Sequence, residues 1–243
     1  MTEVVVSGGK GRLGSRIIAA LSEADGFEPC VLGRNDVPED ILLSGRVFIA
    51  TAPHDITVRH CEIAVANKLP IVVATTGFDA QERKQIEQAS EHVALVIAPN
   101  LSPGVTVLLD LVEKASRALS DYDLELFEIH HNKKKDAPSG TALAIAHAAA
   151  KGRSRDAERD MIMARAGDVG ERGKNEIGVQ TLRGGDVIGE HTLMLIGATE
   201  RLELIHRAAN RDVFAAGAVH AASFVCDAKP GLYTMRDVLG LNA

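Results

Sequence analysis

TEVVVSGGKGRLGSRIIAALSEA, Thr2 to Ala24, has the pattern of a strand, a glycine turn and a helix in succession. Val4 to Val6 form a β-branched run with no polar alternation, as expected of a strand buried on both faces of a parallel sheet. Gly8, Gly11 and Gly14 follow, then a helix whose apolar face is Leu13, Ile17, Ile18 and Leu21. The glycines are spaced G-x-x-G-x-x-G rather than G-x-G-x-x-G. The physics is similar: a tight turn, close approach of backbone to a pyrophosphate, and close helix–strand packing. A glycine pattern alone does not separate a ligand loop from a plain strand–helix turn. Strand, glycines and amphipathic helix in this order argue for the loop, and the spacing of a P-loop is missing.

Beyond this helix, Phe27 to Leu32 reads as a second strand ending at Gly33-Arg34. A site that prefers NAD places an Asp or Glu near here, roughly 20 residues after the glycines, to bind the ribose hydroxyls. A small residue beside an arginine instead leaves room and charge for a 2′-phosphate; an arginine on an ordinary surface turn is the alternative. Val47 to Thr51 is the next strand, His54 to Lys68 a helix, and Ile71 to Ala74 a strand ending in Thr75-Thr76-Gly77. Asp79 and Glu82 form a capping-box pair at the start of a polar helix. His92 to Ala98 is a further strand, followed by Pro99-Asn100-Leu101-Ser102-Pro103-Gly104. Alternating strands and helices predict a Rossmann-like, doubly wound parallel sheet in an α/β chain. Ligands bind such sheets at the carboxyl ends of the strands. The Gly8 loop, Gly33-Arg34, Thr75-Thr76 and Pro99 to Leu101 all fall there, which predicts a dinucleotide.

A second stretch carries a different chemistry. EIHHNKKKDAPSGTALAIAHAAA, Glu128 to Ala150, places two histidines and three lysines before a small-residue turn that opens a helix. Pro138 is tolerated at a helix start, and Ser139 or Thr141 caps one well. The first N–H groups of a helix carry the positive end of its dipole and favour a carboxylate or phosphate. Lys133, Lys134 and Lys135 add cations just upstream. The pattern predicts a seat for a small, strongly anionic substrate with imidazoles beside it. A lysine run is also what a solvated surface looks like. Adjacent histidines on a strand point to opposite faces and no cysteine is near, so no metal site is expected.

The chain has 243 residues, 46% of them hydrophobic, enough for one large domain or two small ones. No run approaches the ~20 apolar residues of a membrane span. The amino terminus begins with a strand rather than the charged and apolar regions of a signal peptide. Cys30, Cys61 and Cys226 are odd in number and far apart, as reduced cytoplasmic thiols would be. A formal net charge of −6, no Trp and 3% aromatics argue against nucleic-acid binding.

After about Leu101 the pattern shifts. A helix is expected over 103–120, a strand over 124–131, the helix after Pro138, and a charged loop over 151–175 with a short strand at 161–164. Strands follow over 177–183, 186–196 and 201–207. The chain returns to helix from Arg211, with a last short helix over 235–239. The expected organisation is a dinucleotide domain, residues 1–101 with 211–243, interrupted by an inserted α+β substrate and oligomerisation domain, residues 102–210. Ser102-Pro103-Gly104 and Asn210-Arg211 are expected hinges.

EIHHNKKKDAPSGTA, together with GGKGRLG, ATTGFD, APNLSPGV, RGGDVIGEHT and GLYTMRDVLGLN, resembles the 4-hydroxy-tetrahydrodipicolinate reductase family of lysine biosynthesis, over essentially the whole chain. The resemblance implies a homotetramer built through the substrate-domain sheets. It implies that Gly8, Gly9, Lys10, Gly11, Arg12 and Leu13 cradle the pyrophosphate of NAD(P)H and that Arg34 meets the 2′-phosphate. Ala74, Thr75 and Thr76, with Ala98, Pro99, Asn100 and Leu101, would line the nicotinamide end. His131, Lys134, Ser139, Gly140 and Thr141 would hold the carboxylates of the dicarboxylate substrate, while His130 and Lys134 take the proton-transfer positions. The implied reaction is loss of water, then hydride transfer to C4, giving tetrahydrodipicolinate.

Three departures stand out. Gly33 replaces an acidic residue common before the arginine, so NADPH is the expected cofactor, with NADH a second. Lys10 adds charge near the phosphates, and Leu101 replaces an aromatic near the nicotinamide. Two further readings remain open: a catalytically silent NADPH-binding metabolite sensor, and a dehydrogenase acting on another small dicarboxylate.

Overall fold

The structure is a computed structural model that describes residues 1–242. From the amino terminus, β1 (Thr2–Ser7), α1 (Arg12–Glu23), β2 (Phe27–Leu32), α2 (Pro38–Ser44) and β3 (Val47–Ala50) alternate. They continue into α3 (His54–Ala66), β4 (Ile71–Val73), α4 (Ala80–Ala89) and β5 (Ala94–Ile97). Then come α5 (Pro103–Ala118), β6 (Asp123–His130), α6 (Gly140–Gly152), α7 (Ala157–Asp160) and β7 (Met161–Ile162). β8 (Ile177–Arg183), β9 (Glu190–Ile196) and β10 (Arg201–Arg207) follow. The chain closes with α8 (Asp212–Asp227), β11 (Gly231–Tyr233) and α9 (Met235–Val238). Two compact units result, one of residues 1–103 with those from 211 onward, the other of residues 104–210.

The first unit holds a six-stranded sheet in the order β2-β1-β3-β4-β5-β11, every adjacent pair parallel. Period-two alternation sorts each buried strand between two cores. Val4, Val6, Ile49, Val72 and Val96 pack with α1 and α8, through Ile17, Leu21, Ala218 and Ala222. Val5, Phe48, Ala50, Val73 and Leu95 pack against Cys61, Ala64 and Ile86 of α3 and α4. Helices on both faces make the sheet doubly wound, as the apolar strand runs predict. The chain leaves β1 for β2 on one side and continues to β3 on the other, so the carboxyl ends of β1 and β3 flank a topological switch point.

In the second unit the sheet order is β10-β9-β6-β8-β7, with β6 parallel to β8 and antiparallel to β9. Leu124, Leu126, Val179, Leu193 and Leu195 face Leu108, Val112, Ala142, Ile145 and Ala149 of α5 and α6. β6 alternates strictly, and its buried positions run on from Leu124 and Leu126 to Glu128 and His130.

Several expected boundaries move for local reasons. The strand expected over 124–131 ends at His130, because the chain turns there: the Lys134 N–H donates to the His131 carbonyl at 3.1 Å. β9 starts at Glu190 rather than 186, since Gly185, at φ 51°, makes a turn whose carbonyl accepts from Asn132 N–H at 3.1 Å. The strand expected over 161–164 pairs only through Met161 and Ile162. The helices expected over 54–68 and 103–120 stop at Ala66 and Ala118. α2, α7 and β11 were not foreseen. β11 exists as a strand through its pairing with β5, from Gly231 opposite Ala94 to Tyr233 opposite Val96.

Candidate active site

In the first unit, the expected cofactor residues gather at the carboxyl ends of β1, β2, β4 and β5. The Gly8 loop is tight. Gly8 sits at φ +69°, and the Gly11 N–H donates to its carbonyl at 2.8 Å. A Cβ on Gly14 would lie 2.3 Å from the Gly8 carbonyl oxygen, so only glycine lets α1 begin this close to the loop. Lys10, Gly11 and Arg12 are exposed on the loop, Gly9 is buried and Leu13 is half-buried. Gly11 caps α1 without a side-chain bond, leaving the helix start to backbone groups alone.

Neighbouring strand ends are pinned by hydroxyls. Thr51 Oγ1 donates to the Ser7 carbonyl at 2.6 Å, and Thr75 Oγ1 donates to the Ala52 carbonyl at 2.7 Å. A cavity of about 340 Å³ opens beside β4 and β5, lined by Thr75, Thr76, Phe78, Arg83, Ile97 and Pro99. Ala74 is half-buried, Ala98 and Leu101 are buried, and the Asn100 side chain accepts from the Ser102 N–H at 2.9 Å. Phe78 and Arg83 escaped the sequence reading. Arg34 lies exposed just beyond β2. The acid that Gly33 lacks has a neighbour: the Gly33 N–H donates to Asp36 Oδ2 at 2.7 Å.

The second unit builds a separate polar cluster at the end of β6. Glu128 is fully buried, and its two oxygens accept four bonds. Oε2 takes His130 Nδ1–H at 2.5 Å and Arg183 Nη1 at 2.9 Å. Oε1 takes the Ser139 N–H at 3.1 Å and the Thr181 hydroxyl at 3.2 Å. Burial pushes the Glu128 carboxyl up, but the bonds from Arg183, His130 and Ser139 outweigh it and hold it below the usual range. Burial draws His130 below its ordinary value, against the opposing pull of Glu128.

Ser139 caps α6, its Oγ accepting from the Ala142 N–H at 3.1 Å while sharing a bond with His191 Nε2 at 2.9 Å. Gly140 and Thr141 are the first two helical residues. The rings of His130 and His191 meet edge to face with centroids 5.2 Å apart. Burial pushes His191 down to about 4, with the charge of His130 adding to it. A Cβ on Gly189 would come within 2.9 Å of His130 Nε2, so that glycine keeps this imidazole edge clear.

Among the three lysines the structure separates one. Lys134 is half-buried, its Nζ donating to both oxygens of Asp136 at 2.9 and 2.8 Å, whereas Lys133 and Lys135 are exposed. The Lys134 bond holds the Asp136 carboxyl below its usual range. Arg183 spans the cluster, with Nη2 donating to the Asp136 carbonyl at 2.7 Å. His131 sits half-buried in the turn after β6. Thus His130, Lys134 and Ser139 are brought into one network, and Glu128, Arg183 and His191, which the sequence reading had not singled out, hold it together. Among the described residues, no group of three or more His, Cys, Asp or Glu side chains is placed to hold a metal ion.

Comparison with known proteins is consistent across the chain. Residues 2–101 match the family model described as dihydrodipicolinate reductase, N-terminus, and residues 104–239 that described as dihydrodipicolinate reductase, C-terminus. The 4-hydroxy-tetrahydrodipicolinate reductase of Syntrophus aciditrophicus is 42% identical over 268 residues, covering 100% of both chains. That of Nitrosomonas europaea is 39% identical, covering 98% of each. Among solved structures, dipicolinate-bound dihydrodipicolinate reductase from Paenisporosarcina sp. TG-14 is similar in fold, with a TM-score of 0.80 at 21% identity over 96% of this chain and 97% of that one. A probable dehydrogenase from Thermotoga maritima shares the fold more distantly, with a TM-score of 0.63 at 8% identity over 97% of this chain and 92% of that one.

Proposed function

This chain belongs to the dihydrodipicolinate reductase family, and from that membership we propose how its own residues carry out the reaction. It is an NAD(P)H-dependent oxidoreductase that reduces 4-hydroxy-tetrahydrodipicolinate in the diaminopimelate route to lysine. The dinucleotide fits the first unit: Gly8 and Gly14, where a Cβ would strike Thr51 and the loop's own backbone, let the loop and α1 pack tightly, and α1 starts there without a side-chain cap. Residues 8 to 13 hold the pyrophosphate there, Arg34 meets a 2′-phosphate and favours NADPH, and Ala74 to Thr76 with Ala98 to Leu101 line the nicotinamide end. Bound NAD(P)H supplies the hydride.

The second unit supplies binding and the proton. His131, Ser139 and the Gly140-Thr141 start of α6 seat the carboxylates, where the helix dipole favours negative charge. Lys134 stabilises negative charge that builds on the ring as it is reduced, and serves as acid. His130 holds its Nδ1 proton against Glu128, which leaves Nε2 as the atom that exchanges a proton. The observation that carries this division is the burial of one lysine of three beside the Glu128–His130 cluster.

A homotetramer fits the open face of the second sheet, where Phe127, Ile129, Met194 and Ile196 are half-buried and Leu182 and Ile205 are exposed. A cytoplasmic location fits the three free cysteines. The direct test couples purified chain and NADPH to a dihydrodipicolinate synthase reaction. NADPH oxidation that starts only when the synthase runs, and that pyridine-2,6-dicarboxylate inhibits competitively, is expected. NADPH binding without oxidation would favour the silent sensor. Oxidation with a different dicarboxylate alone would favour another dehydrogenase.

A further inference from the structure

The end of β2 is where a dinucleotide site tells its two cofactors apart. An acidic side chain there accepts bonds from the ribose hydroxyls of NADH, and a cation there pairs with the 2′-phosphate of NADPH. This chain carries the cation, Arg34, but Gly33 offers no side chain. The position adjoins the glycine loop directly. The Gly8 N–H donates to the Leu32 carbonyl at 3.2 Å, and a Cβ on Gly9 would lie 3.0 Å from the Val31 side chain.

The backbone after Leu32 folds back so that Asp36 returns to this spot. Its Oδ2 accepts from the Gly33 N–H at 2.7 Å and lies 3.0 Å from where a Cβ on Gly33 would be. The carboxylate thus occupies the space into which an acidic side chain at position 33 would project. Asp36 and Arg34 are both exposed, so each is open to a ligand at the strand end. The glycine is part of the device, since any side chain at 33 would meet the Asp36 carboxylate.

We infer that Asp36 is the ribose acceptor of this site, delivered from three residues downstream, and that it sets cofactor choice against Arg34. The inference rests on the proposal that the Gly8 loop holds the dinucleotide. A carboxylate accepts the 2′- and 3′-hydroxyls of NADH, whereas a 2′-phosphate brings about −1.5 to −2 charges to the same place and is repelled. Asp36 therefore favours NADH, Arg34 favours NADPH, and the pair leaves the enzyme able to use both.

Calorimetric titration of the full chain with NADH and with NADPH tests this without turnover. Asp36→Asn is the informative variant, because its amide oxygen still accepts from Gly33 and keeps the turn while the charge is gone. It is expected to weaken NADH by roughly tenfold, the equivalent of one charge-assisted hydrogen bond, and to leave NADPH equal or tighter. Arg34→Ala is expected to do the reverse, weakening NADPH while NADH holds. An unchanged ratio of the two affinities in Asp36→Asn, whether both hold or both fall together, would reduce Asp36 to a turn residue and overturn the proposal. Wild-type chain that binds neither cofactor would overturn the dinucleotide reading, and this inference with it.

Discussion

At the scale of single residues, the second unit shows how one buried carboxylate organises a site. Glu128 joins the imidazole of His130 to the start of α6 and is balanced by Arg183. The signal for Glu128 lies in the sequence, since residues two apart on a strand share a face, and Glu128 stands two before His130. Arg183 and His191 give no such signal. They reach the site only because β8 pairs Arg183 with His130 and β9 pairs His191 with Glu128, a register that no local pattern encodes. His191 also makes stability depend on pH. Its ordinary value of 6.5 falls to about 4 in the fold, so the native state binds fewer protons than the unfolded chain between those limits. Stability is full above pH 6.5 and declines as pH falls toward 4, by about 3 kcal/mol from this group alone. Urea unfolding of wild type and His191→Gln at pH 7 and pH 4.5 checks this. The variant should lose less stability than wild type on acidification, and equal losses would clear His191 of the effect.

At the scale of elements, apolar periodicity carried most of the first unit. Strand runs such as Val4 to Val6 and the stripe of α1 identify themselves because buried parallel strands tolerate no polar position. α2 is only seven residues long, too short to show a period, although Pro38 at its start and Glu39 and Asp40 in its first turn are ordinary helix signals. β11 could not be recognised, being three residues whose strand character comes from pairing with β5. The approach of α1 to the Gly8 loop is the element-level contact on which the proposed cofactor site depends. In Gly14→Ala the added methyl would press on the Gly8 carbonyl from 2.3 Å. The expected cost is about 1–3 kcal/mol of stability, with NADPH binding weakened at least tenfold. Thermal unfolding and titration together check it, and a variant that binds NADPH normally would show that the loop adapts.

At the scale of the whole molecule, the family model matches and the full-length relatives leave the class of reaction settled, while assembly is a matter of physics still to be measured. One face of the second sheet is covered by α5 and α6; on the other Phe127, Ile129, Met194 and Ile196 are half-buried and Leu182 and Ile205 exposed, while Arg165 and Arg172 pair with Glu125 on β6. Light scattering at micromolar concentration should report four chains. Ile205→Lys, placing a charge on that face, should shift the distribution toward smaller species. A monomeric wild type would contradict the tetramer.

One lysine of the HHNKKKDAPSGT segment is proposed to do the chemistry, and a matched set of lysine variants separates it from its neighbours. Lys134 is half-buried beside the Glu128–His130 cluster, while Lys133 and Lys135 are exposed. In the synthase-coupled assay, Lys134→Met is expected to lower kcat by about 10²–10⁴-fold, the contribution of a positioned general acid, with NADPH affinity unchanged. Lys133→Met and Lys135→Met are expected to stay near wild type. His131→Ala should raise KM more than it lowers kcat, because it removes binding made to substrate and transition state alike. Comparable losses in all three lysine variants would contradict the account and leave only a diffuse positive field around the site.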